Sequence, residues 1–161
     1  MPADPAEPRW LDAAEREAWL GLLGVSLLLP AALDSQLQRD SDLSTFDYLV
    51  LAMLSEAPDH TIQLKHLARL TNGSLSRLSH TITRLERRGW VRRQTSASDR
   101  RATVAVLTGA GSEKVVDSAP GHVEAVRRLV FDPLPPEHVA SVAAATRAIL
   151  GQLSAQWYAT D

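Results

Sequence analysis

Between Ser74 and Arg101 the 161-residue chain concentrates side chains whose chemistry is the recognition of phosphates and base edges. Ser76, Arg77, Ser79, His80, Thr83 and Arg84 interleave at helical spacing with Leu75, Leu78, Ile82 and Leu85. A helix here would turn hydroxyls, an imidazole and guanidiniums outward while the aliphatic residues face a core. Arginine pairs bidentately with guanine O6 and N7, so Arg77 is the first candidate for a base contact, with a phosphate contact as its other reading; His80 suits a phosphate or water-mediated contact. Ser74 can cap the helix and aim its free N–H groups at a phosphate. Farther on, RQTSASDRRATV at 93–104 sets Arg93, Asp99, Arg100 and Arg101 around a polar loop. A connecting loop needs no such density of guanidinium, and something negative is expected outside it.

The charge distribution points the same way. The net charge is only −2, but residues 61–107 hold ten Lys or Arg against Glu86 and Asp99, a net of +8, and the rest holds seven against seventeen, a net of −10. A basic middle carried by an acidic remainder is expected to bind a polyanion through the middle alone. With 45% hydrophobic and 22% charged residues, the chain can bury a core. Cysteine is absent, which removes disulfides, thiolate nucleophiles and thiol redox switches. None of His60, His66, His80, His122 and His138 has a partner at metal-ligand spacing, and no nucleophile elbow, glycine-rich phosphate loop or carboxylate pair stands out. We expect no enzyme, no metal and no cofactor.

The elements that must position these groups follow from periodicity and punctuation. A long helix is expected over 11–38, bent at Pro30, with Trp19, Leu22, Leu23 and Leu33 inward; a second is capped by Ser44 and runs to Glu56. A third covers 63–70, and Thr71, Asn72 and Gly73 turn the chain into the fourth, 74–88, which Gly89 ends. The period then changes: 90–94 and 102–107 read as a two-stranded ribbon around the arginine loop. Thr108 caps a fifth helix reaching about Phe131, with a kink expected at Pro120 and Gly121, and after DPLPP a last helix runs from Pro136 to about Tyr158. The fold class is mostly α (α+β). Two helices joined by a tight turn and followed by a hairpin make a winged helix-turn-helix, whose second helix enters the major groove.

Residues 64–108, LKHLARLTNGSLSRLSHTITRLERRGWVRRQTSASDRRATVAVLT, resemble the winged helix of the multiple antibiotic resistance regulator (MarR) family, most specifically in LERRGWVRR, the SDRRA loop tip and the strand ending LT. The resemblance implies a cytoplasmic, homodimeric transcriptional regulator, a ligand-responsive repressor on a pseudo-palindromic operator in double-stranded DNA. It implies dimerisation helices in 10–43 and 109–161 around a DNA-binding region at 44–108, after a flexible arm at 1–9. It further implies that Asp99 pairs with a nearby arginine and that Arg100 or Arg101 enters the minor groove. LTGAG at 107–111 departs from the family's usual acids after LT, which should weaken that helix start. The family often binds small aromatic or amphipathic effectors between its dimer and DNA-binding regions. Trp10, Trp19, Phe46, Tyr48 and His66 are candidates to line such a cleft, and core packing is their other use. Ala18 to Leu33 carries no charge in 16 residues, short of a spanning helix and flanked by acids, so a buried interface helix is expected and no membrane. The alternative in a different functional class is a winged-helix module that contacts proteins through its acidic outer helices.

Overall fold

Three of the expected N-caps form, and each sets the start of a helix. In the computed structural model, which describes residues 8–96 and 99–154, the Ser44 hydroxyl accepts the Asp47 N–H, Ser74 that of Arg77 and Thr108 that of Gly111, at 3.0–3.1 Å. Asp12 and Glu15 make a further capping box that starts the first helix. The elements run α1 (Ala13–Ser41), α2 (Thr45–Glu56), a single 3₁₀ turn, β1 (Thr61–Gln63), α3 (Leu64–Leu70), α4 (Leu75–Arg87), β2 (Val91–Thr95), β3 (Thr103–Leu107), α5 (Gly109–Val126), a π turn at Arg127–Phe131 and α6 (Pro136–Ser154). The architecture is mostly helical with one small antiparallel sheet, as expected.

The sheet is ordered β1-β3-β2, with Ile62 opposite Ala105 and Val91 opposite Leu107. The two-stranded ribbon expected from the sequence is therefore corrected to three strands. TIQ at 61–63 is too short to show a strand period, and it is a strand only because β3 offers it a hydrogen-bonding edge. Neither proline at an expected bend interrupts its helix, since α1 is continuous through Pro30 and α5 through Pro120. A proline removes one N–H from the helix ladder. The carbonyls left without it, those of Ser26 and Val116, belong to exposed residues where water can replace the donor.

The core lies where α2, α3, α4 and the sheet meet the C-terminal end of α1. Leu37, Leu43, Val50, Leu51, Leu54, Leu67, Leu78, Ile82 and Leu85 are buried to within 1%, each contributing about 1.5–3 kcal/mol of transfer free energy. The other end of α1 does the opposite of what its composition implies: Trp19, Leu22 and Leu23 are exposed, as are Val139, Val142, Ile149, Leu150 and Leu153 of α6. Their apolar periodicity is real, but nothing among the described residues covers it.

Candidate nucleic-acid interface

α4 is anchored from below and fastened on both flanks. Leu78, Ile82 and Leu85 are inserted in the core, while Leu75, expected on the same face, is exposed because it lies in the first turn, where the helix overhangs the core. The preceding turn places Asn72 at positive φ. Gly73 does not share that conformation; its value is close approach, since a Cβ there would lie 2.7 Å from Cζ of Phe46. At the far end Gly89 takes φ +76°, and the Gly89 and Trp90 N–H groups donate to the carbonyls of Glu86 and Leu85. This double closure of the helix end turns the chain directly into β2.

On the α2 flank, Asp47 is 5% exposed and does three things at once. It accepts the Ser44 N–H at 3.1 Å and the Ser44 hydroxyl at 2.7 Å, and its other oxygen takes Nη2 of Arg84. Arg77 on the same flank lays its guanidinium over the Phe46 ring, 4.0 Å from the centroid. At the C-cap of the helix, Arg88 donates to both the carbonyl and the carboxylate of Asp42 at the end of α1.

On the β2 flank, the Arg93 guanidinium pairs with Glu86 and donates to the Ser79 carbonyl at 2.8 Å and the Thr83 hydroxyl at 3.0 Å. Its backbone N–H also donates to Glu86 at 2.7 Å. Arg93 thus lies inside the protein's own network, binding the hairpin to α4, and Ser79 and Thr83 are partly committed to that network. Glu86 and Asp47, the two carboxylates that hold α4, were not singled out from the sequence. Ser44-x-x-Asp47 is a capping-box spacing and could have revealed one of them.

What is left facing outward is a single stripe. Ser76, His80 and Arg87 are exposed, stand with Thr83 at i, i+4, i+7 and i+11, and make no side-chain hydrogen bond or ion pair among the described residues. Arg87 was missed because it follows the last apolar residue of the pattern, although its spacing from Ser76 and His80 places it on their face.

At the hairpin tip Asp99 does not pair with an arginine side chain, as the resemblance implied. Its carboxylate accepts the Arg101 backbone N–H at 2.9 Å and its carbonyl accepts the Ala102 N–H at 2.9 Å. A short acidic side chain closing its own turn in this way competes with a guanidinium partner. Arg100 and Arg101 are exposed and make no ion pair among the described residues; Ala97 and Ser98 of the same loop lie outside them.

The five effector candidates do not share a cleft. Trp10 is 80% exposed ahead of α1, and Trp19 lines an apolar groove of about 360 Å³ between α1 and α6. Phe46 is buried beside a groove of about 410 Å³ that includes Pro30, Asp34 and Arg77. Tyr48 packs against His122, ring centroids 4.5 Å apart, and His66 borders a separate hollow of about 490 Å³ with Met53 and Glu56. Burial, then the Glu56 carboxylate, raises the Tyr48 hydroxyl above its usual range; burial lowers His122 below 6.5.

Residues 43–103 match the model of the MarR family. The whole chain is similar to two solved MarR family transcriptional regulators from Streptomyces coelicolor. Sco3205, crystallised in complex with DNA, is 42% identical over 92% of this chain and 93% of its own, with a TM-score of 0.85. AbsC is 41% identical over 91% of this chain and 98% of its own, with a TM-score of 0.84. The fold is also similar to that of CouR from Rhodococcus jostii RHA1, crystallised bound to p-coumaroyl-CoA, at 20% identity over 94% of this chain and 99% of its own, TM-score 0.71. Among curated proteins no sequence match is significant.

Proposed function

Since this chain belongs to the MarR family, whose members are transcriptional regulators rather than enzymes, we propose that it is a repressor that binds a pseudo-palindromic operator as a homodimer through α4 and the hairpin. The observation that carries this reading is the open stripe of Ser76, His80 and Arg87 on a helix braced from both sides, in the segment with a net charge of +8. A groove reader needs free donors and acceptors on a support that does not reorganise when DNA arrives. Ser76 and His80, near the start of α4, take base edges, and Arg77, Ser79 and Thr83 lie beside them. Ser74 and Arg84 border the phosphates. Arg100 and Arg101 reach a minor groove from a turn that Asp99 shapes, and Arg93 acts by holding the hairpin to α4.

The proposed division of the chain is as follows. Residues 44–108 are the DNA-binding unit, and 10–43 with 109–161 form the dimer. The exposed apolar faces of α1 and α6 are what such a dimer would cover. By length and composition α1 could cross a membrane; a second copy is the better cover, because the C-terminal part of the same helix is built into the core through Leu37. An amphipathic effector acting in the cytoplasm would enter the groove beside Phe46, where it would displace the Arg77 guanidinium stacked there.

Selection of duplexes from a random pool, followed by gel shift across a salt series, tests the reading. We expect enriched inverted repeats and a log–log salt slope of about −0.9 per phosphate contact, flattened by about one unit for each contact removed in an Arg100→Ala, Arg101→Ala double variant. No retardation even at low salt would favour the protein-contact alternative.

A further inference from the structure

Every exposed large apolar side chain among the described residues but one lies in Trp10–Leu28 or from Val116 onward, on the surfaces assigned above to the dimer. The exception is Leu75, 56% exposed in the middle of the basic module. It is the first residue of α4, flanked by the exposed Ser74 and Ser76 and one turn before Ser79. By spacing it belongs to the core stripe of Leu78, Ile82 and Leu85, and the structure leaves it outside that core.

We propose that Leu75 reads the 5-methyl group of thymine in the major groove. The first turn of a recognition helix is the part that meets base edges. Among the groups those edges display in the major groove, the only apolar one is the thymine methyl. An isobutyl side chain has no hydrogen bond to offer, so a donor or acceptor edge opposite it would lose its water without replacement. Leu75 therefore favours thymine at the position it covers in each half-site over cytosine, which presents a polar group at the same place but no methyl to offset its lost water. This inference rests on the assignment of α4 as the DNA-reading helix.

The probe is the set of duplexes enriched from the random pool, remade with each thymine replaced in turn by deoxyuridine, which deletes the methyl and keeps the O4 acceptor. For the unmodified protein we expect about a fourfold loss of affinity at one thymine per half-site and about fifteenfold when both symmetric thymines are changed, from the burial of one methyl-sized group each. Leu75→Ala should bind the thymine duplex with a similar loss, be indifferent to deoxyuridine at that position and keep its thermal midpoint; Leu75→Met should retain the sensitivity. Insensitivity of the unmodified protein to deoxyuridine everywhere, or an undiminished deoxyuridine effect in Leu75→Ala, would overturn the role of Leu75 while leaving α4 as the reader. Failure to enrich any sequence would overturn the reading of α4 itself, and this inference with it.

Discussion

Gly111→Ala sets two well-understood effects against each other, and the structure decides the sign. Gly111 lies in the first turn of α5, where alanine ordinarily stabilises a helix by up to about 1 kcal/mol. A Cβ at this position would stand 2.1 Å from the Trp90 carbonyl oxygen and 2.7 Å from a Leu107 methyl. To accommodate it, the carbonyl must retreat by about 1.4 Å, since carbon contacts are optimal only beyond about 3.5 Å. That carbonyl accepts the Thr108 N–H at 3.0 Å, and the Thr108 hydroxyl donates to the Gly89 carbonyl at 2.6 Å. Overpacking costs about 1–3 kcal/mol, and the weakened hydrogen bond about 0.5–1.5. After the propensity gain, the net loss is about 2 kcal/mol, a fall of about 4–8 °C in Tm for a chain of this size. Gly109, two residues earlier in the same helix, has nothing within 4 Å of a built Cβ. Gly109→Ala is the internal control and should leave Tm unchanged or raise it by about 1–2 °C, consistent with a gain of about 0.5 kcal/mol. Thermal melts at one fixed protein concentration make the comparison. If Gly111→Ala melts at or above the unmodified protein, or shifts in step with Gly109→Ala, the close packing of the hairpin base against α5 is refuted.

Three further outcomes follow from the same contacts. Arg93→Ala should cost about 1–2 kcal/mol of stability through its bonds to Glu86, Ser79 and Thr83 and weaken DNA binding with the salt slope intact; a slope reduced by about one unit would put Arg93 on a phosphate instead. Leu23→Glu, on the exposed face of α1, should raise the dimer dissociation constant at least about a hundredfold, since each dimer would lose two buried leucines, and an unchanged sedimentation coefficient would refute the assigned dimer face. Burial holds His122 below 6.5, so the unfolded chain binds the proton first: the stability His122 allows is present above 6.5 and declines as pH falls through the window below it. Between about pH 7.5 and about pH 5.5 the Tm of His122→Gln should therefore fall less than that of the unmodified protein, and parallel declines would exclude His122 as the source.

Helix α4, its Ser74 cap, the turn before it and the hairpin after it were legible in the chain itself, because caps, helical spacing and glycine act over a few residues. The charge division was legible because it is a sum over positions, indifferent to contacts. Which arginine is free was not. Arg84, Arg93 and Arg100 look alike in a sequence, yet Asp47, 37 residues away, takes the first and Glu86 with two α4 oxygens the second, while Asp99 turns to the backbone and leaves the third open. β1 escaped because a three-residue strand exists only by pairing, and the effector set was dispersed because aromatic composition says nothing about which surfaces converge. The apolar residues of α1 and α6 pointed to burial in the sequence, but only the fold shows that the described residues leave them exposed. Local chemistry thus determined that there is a helix with a polar face and an arginine loop. The long-range ion pairs and the end of the core, which depend on residues brought together from distant parts of the chain, decided that Ser76, His80, Arg87 and Leu75 are left exposed on α4, outside the protein's own network.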